Sequence, residues 1–143
     1  MTKSLFQWPV RVYYEDTDCG GVVYHTSYLK FMERARTEWL RMHGFEQDAL
    51  AVRHGVIFAV RSLQAEYLCP ARFNALLQVS VGLLRCGAAS LNFDQQVRAD
   101  PPADGAGGRL LCSARVRIAC LDSTLMRPCR IPADLITEIG SGN

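Results

Sequence analysis

No run in this chain of 143 residues approaches the ~18 uninterrupted apolar residues of a membrane-spanning helix, and the segment Met1 to Pro9 holds no apolar block of the roughly 7–15 residues that marks a secretory signal. The expected location is therefore the cytoplasm. The six cysteines, at 19, 69, 86, 112, 120 and 129, form no C-x-x-C pair and no tight Cys/His cluster, which argues against a zinc site or a disulfide framework. They are expected to be reduced, with Cys112 and Cys120 acting as small core residues. Lysine is scarce, two against fourteen arginines, and at a net charge of +2 with scattered basic residues the chain gives no reason to expect nucleic-acid binding. There is no G-x-G-x-x-G and no G-K-[ST], so no dinucleotide or phosphate loop, and no low-complexity tract divides the chain. A single domain over residues 1–143 is expected, with no cofactor and no bound metal.

The most informative segment runs from Tyr14 to His25. It crowds Glu15, Asp16 and Asp18 together with Gly20 and Gly21 just before an amphipathic helix. A helix start presents unpaired N–H groups and a partial positive charge, which stabilise negative charge developing on an oxygen. The two glycines permit a turn that folds Asp18 back toward those groups, leaving room for a polarised carbonyl. A carboxylate facing such a site suits acyl transfer, as nucleophile or as general base. Ordinary turn chemistry explains the same composition. A calcium loop does not, because Gly20 stands at the fifth EF-hand position and Ser27 replaces the glutamate at the twelfth.

The helix is expected from about residue 27 to His43, with Thr26 or Ser27 as its cap and Gly44 as a left-handed stop. Tyr28, Met32, Ala35, Trp39 and Met42 fall on one stripe, and Lys30, Glu33, Arg34, Glu38 and Arg41 on the solvated side. Period-two patterns then give strands at Val10 to Tyr14, within Val56 to Leu68, and around Leu77 to Leu83, Leu91 to Val97 and Leu110 to Cys120. Arg85 to Ala88 reads as a tight connection, and 100–108, rich in proline and glycine, as an exposed loop. The fold class is α+β, an antiparallel sheet of about five strands against one long helix. Because one helix about 10 Å across cannot cover both faces of such a sheet, a dimer is the minimum expectation.

The run Val12 to Asp18, Val22 to Tyr28 and on to Phe31-Met32-Glu33-Arg34-Ala35-Arg36 closely resembles the signature of the 4-hydroxybenzoyl-CoA thioesterase family, in particular the acyl-CoA thioesterases encoded beside the Tol-Pal cell-envelope system. The likeness continues in Pro70-Ala71-Arg72 and in Arg130-Ile131-Pro132. It implies the hotdog fold, in which the sheet wraps the helix, an assembly that is a dimer of dimers with its sites at subunit interfaces, and an acyl-CoA substrate. It further implies that Asp18 carries the chemistry, that the backbone N–H of Tyr24 holds the thioester oxygen, and that His25 supports the reaction by protonating the departing thiolate or orienting the substrate.

Arginine's planar donor fork suits the phosphates of coenzyme A, and Arg72 and Arg85 are the candidates for that contact, against a reading of each as a solvated surface charge. Where relatives often carry acidic residues after this motif, Asn74 and Ala75 follow Phe73 here. Asp16 is expected to support the turn through backbone hydrogen bonds. Cys19 is a less favoured nucleophile, and His43 and His54 read as helix-end and loop residues. Two other classes stay open, a hotdog hydratase or dehydratase, although His25 is followed by Thr26-Ser27 where that chemistry would require His-Phe-Pro, and a non-catalytic scaffold that binds acyl chains or envelope partners.

Overall fold

A computed structural model describes residues 5–99 and 108–141. The expected loop at 100–108 falls, apart from Gly108, outside the described residues. The chain runs β1 (Phe6–Arg11), a single 3-10 turn (Tyr14–Asp16), α1 (His25–Met42), α2 (Gln47–His54), β2 (Val56–Tyr67), β3 (Leu76–Cys86), β4 (Ser90–Ala99), β5 (Leu110–Asp122) and α3 (Ala133–Ser141). The strands form one antiparallel sheet in the order β1-β3-β4-β5-β2.

The sheet has two chemically different faces. Along β4, Leu91, Phe93, Gln95 and Val97 are buried, while Asn92, Asp94, Gln96 and Arg98 alternate with them on the other face. On β5, Cys112, Ala114, Val116, Ile118 and Cys120 continue the buried face. Helix α1 covers it with Tyr28, Phe31, Met32, Ala35, Trp39 and Leu40, and the Trp39 ring meets Phe93 edge-on at 5.2 Å. Gln95 is fully buried there. Its amide nitrogen donates to the carbonyls of Met32 (3.1 Å) and Ser80 (3.3 Å), and its Oε1 accepts from Arg36 at 2.8 Å, so a polar side chain ties helix to sheet with each of its bonds made.

The outer face is polar. Register places Arg85, Asn92, Arg117 and Ser62 in one row across four strands and Gly82, Asp94, Arg115 and Gln64 in the next. Among the described residues this face is mostly polar, and its exposed apolar side chain is Leu84 of β3, 53% exposed in a groove beside Arg85, Asn92, Arg115 and Arg117, so the face offers little apolar area for a second subunit to cover. Further exposed apolar side chains include Val60 and Leu63 on the edge strand β2.

Several expected boundaries move. The first strand occupies Phe6–Arg11, not Val10 to Tyr14, because the chain turns at Tyr13, whose N–H donates to the Asp16 carboxylate at 2.8 Å. Helix α1 begins at His25 with Tyr24 as its cap, so Thr26 and Ser27 are helical and neither caps it. Met42 is 57% exposed, since the buried stripe drifts onto Leu40 at the last turn. Gly44 is left-handed as expected, at φ 93°. Arg85 belongs to β3, beside an irregularity between Leu83 and Arg85, and the turn follows it. His54 ends α2, which stops at left-handed Gly55, and His54 and His43 face Asp134 (3.7 Å) and Glu138 (3.4 Å) of α3.

Candidate active site

The segment from Asp16 to Tyr24 is a small hairpin. Thr17 and Val23 form its bridge, the Asp18 N–H donates to the Val22 carbonyl at 2.9 Å, and the Gly21 N–H returns to the Asp18 carbonyl at 3.1 Å. Residues Cys19, Gly20 and Gly21 make the tip. Gly21 adopts φ 81°, a conformation costly for residues with a Cβ, and a Cβ on Gly20 would stand 3.2 Å from Asp18 Oδ1. The glycines thus allow the turn and leave space for the carboxylate.

Asp18 Oδ1 accepts hydrogen bonds from the N–H groups of Gly20 (2.8 Å) and Val22 (3.4 Å). Its Oδ2 makes none among the described residues. One oxygen is thereby anchored by the backbone and the other is open, the arrangement required of a carboxylate that attacks carbon or deprotonates water. Asp16 supports this from below. It is 5% exposed, its side chain holds the Tyr13 N–H, and its carbonyl accepts the Tyr24 N–H at 2.8 Å.

That last bond corrects the expected oxyanion donor. The Tyr24 amide is engaged within the hairpin and is not a free donor among the described residues. The first N–H groups of α1 without an acceptor among the described residues belong to His25 and Thr26, the orphan donors of any helix start. Thr26 was readable only as a cap, because the sequence does not show at which residue the helix begins.

The side chains of Tyr24 and His25 are exposed, their rings 4.4 Å apart, and the His25 ring meets Tyr67 edge-on at 6.0 Å. A pocket of about 240 Å³ opens beside them, lined by Val23, His25, Tyr28, Tyr67 and Cys69 among others. Tyr28 is buried with its hydroxyl bonded to the Ala71 N–H, and burial raises the pKa of both Tyr28 and Tyr67, so these rings stay neutral. Tyr67 had no signal in the sequence beyond its place in a strand.

The two arginine candidates are not brought together. Arg72 is exposed and bridges Val22 through its backbone, next to the Asp18 hairpin. Arg85 lies at the far end of β3, roughly 30 Å away by strand rise, in an outer-face groove of about 630 Å³ shared with Arg115 and Arg117. Cys19 is exposed at the hairpin tip. Among the described residues no three His, Cys, Asp or Glu side chains gather as a metal site, and no helix is long and apolar enough to cross a membrane.

The fold and this hairpin define a thioesterase class. The family model of the thioesterase-like superfamily matches residues 12–139, and the chain belongs to that superfamily. Within it, the chain is 44% identical over 138 residues to the acyl-CoA thioester hydrolase YbgC of Escherichia coli, spanning 96% of this chain and 98% of that protein. It is 39% identical over 135 residues to the acyl-CoA thioesterase YbgC of Haemophilus influenzae, 94% of each. A probable thioesterase from Bartonella henselae superposes with a TM-score of 0.80 at 33% identity, over 90% of this chain and all of that one (100%). A 4-hydroxybenzoyl CoA thioesterase mutant complexed with 4-hydroxybenzoyl CoA superposes with a TM-score of 0.83 at 19% identity, over 92% and 95%, which shows the shared hotdog fold.

Proposed function

We propose that this protein hydrolyses an acyl-CoA thioester to a carboxylic acid and free coenzyme A, with Asp18 as nucleophile or general base. The observation that carries the reading is the hairpin, which fixes one oxygen of Asp18 on backbone amides and leads directly into a helix whose first two N–H groups, at His25 and Thr26, are unengaged among the described residues. The names of the relatives supply the substrate class.

In this reading the thioester oxygen sits on those two amides and the carbonyl carbon faces the open Oδ2 of Asp18. Charge developing on the oxygen is met by donors that need no reorganisation. His25, at the mouth of the pocket beside Tyr67, protonates the departing thiolate or orients the substrate. Arg72 is the better placed of the two phosphate candidates, and Arg85 serves only a molecule bound across the far end of the sheet.

The assembly is proposed to be a homo-oligomer, a dimer at least. Its support is now the edge of β2, twelve residues long, with Val60 52% and Leu63 38% exposed, beside a cavity of about 470 Å³ between that strand and α1. All six cysteines are free, which fits a reducing cytoplasm.

The test is thiol release from short, medium, long and aromatic acyl-CoAs by the unmodified chain and by Asp18→Asn. Loss of roughly 10²–10⁴ in turnover is expected for the variant, the range that a positioned base supplies. Full turnover by Asp18→Asn would remove the assigned chemistry. Hydrated product from an enoyl-CoA without free thiol would select the hydratase class instead.

A further inference from the structure

Tyr28 is not in the reacting set, yet it holds both halves of that set to one another. It lies in the first turn of α1 at 3% exposure, with Phe31 and Tyr67 against its ring at 6.2 and 5.7 Å. Its hydroxyl accepts the Ala71 N–H at 3.0 Å. The Ala71 carbonyl accepts the Val23 N–H at 2.8 Å, and Val22 bridges Arg72. Val22 in turn accepts the Asp18 N–H and directs its own N–H at Asp18 Oδ1.

The segment 70–72 is therefore clamped between the helix and the hairpin. On one side the clamp is made by backbone pairing, and on the other by the Tyr28 hydroxyl. Ala71 is 4% exposed, so water does not readily replace that hydroxyl.

We propose that Tyr28 is a positioning residue for hydrolysis, its hydroxyl setting the separation between the Asp18 carboxylate and the open amides of His25 and Thr26. This rests on the reading of those groups as the reacting pair. The geometry has a direct consequence. Without the hydroxyl the Ala71 amide loses its acceptor, segment 70–72 shifts against α1, and the hairpin moves with it while α1 stays. A displacement of that kind changes the approach of carboxylate to carbon more than it changes substrate binding.

Tyr28→Phe is the test, because it keeps the ring and its packing. Turnover should fall roughly ten- to a hundredfold with KM held within about twofold, the cost expected of misplaced reacting groups. The pH profile should scale down uniformly without moving, since a buried neutral hydroxyl does not titrate in the working range. Amide hydrogen exchange at Val23 and Ala71 should accelerate. Ile139→Val, a trimming of the fully buried α3 contact, is the control and should lower the melting temperature while keeping turnover and the exchange of those two amides. Unchanged exchange in Tyr28→Phe would overturn the proposal, as would normal turnover by it alongside an active parent. An inactive parent with accelerated exchange in the variant would instead retire the thioesterase reading and leave the clamp standing.

Discussion

Replacing His25 with proline removes one backbone N–H from the candidate oxyanion site and almost nothing else from the fold. Proline fixes φ near −65° and is favoured at the first helical position, which is where His25 stands. It also forces the preceding residue into an extended conformation, and Tyr24 already has φ −65° and ψ 139°. The amide deleted is one that makes no hydrogen bond among the described residues. His25→Ala is the reference, since it removes the imidazole and keeps the amide. If the thioester oxygen binds at this helix start, His25→Pro should fall below His25→Ala by about 10²–10³ in kcat, or ~3–4 kcal/mol of transition-state stabilisation. KM and melting temperature should stay close between the two variants. Steady-state thiol release with both proteins decides it. Equal turnover by the alanine and proline variants would show that this N–H does not hold the oxygen, and a loss confined to KM would show that it binds ground state and transition state alike.

Gln95→Leu should destabilise the fold by about 3 kcal/mol in urea unfolding, because the half-buried Arg36 guanidinium loses a charge-assisted bond; wild-type stability would mean that Arg36 finds water instead. At Gly21, where φ is 81°, Gly21→Val should lose activity and about 1–2 kcal/mol of stability, whereas Gly21→Asn should retain most of both, and equal losses would place the defect outside the backbone conformation. Thiol labelling at pH 8 should reach exposed Cys19 first and spare Cys112 and Cys120, whose burial raises their pKa to about 11 and about 12 and leaves about one thiol in a thousand or fewer ionised; rapid labelling of either would contradict the packing of β5.

What could be read from the residues divides along physical lines. Period-two alternation from Leu91 to Val97 and from Leu110 to Cys120 located β4 and β5, because one face is buried and the other wet. The stripe from Tyr28 to Trp39 located α1 for the same reason. Helix α2 escaped because Leu50 is its one buried residue among eight, too few to make a stripe. Helix α3 escaped although Leu135 and Ile139 are fully buried one turn apart, since two positions do not establish a period. At the site, the run from Asp18 to His25 was legible from composition and from its family likeness. The identity of the open amides was not, because it depends on the Tyr24 N–H being taken by the Asp16 carbonyl, a contact across the hairpin that neither spacing nor composition reveals. Arg72 and Arg85 looked equivalent in the sequence and are separated by the length of a strand.

Pro9 sits inside β1, opposite Gln78, on a strand only six residues long. A strand of another molecule added there would meet a residue with no hydrogen to donate, on a ladder too short to compensate. Among the described residues, the flank of β2 is thus the better suited to extension. Two copies joined flank to flank by a two-fold axis would each turn a proline-guarded border outward, and growth by strand addition would halt at ten strands instead of continuing into a fibre.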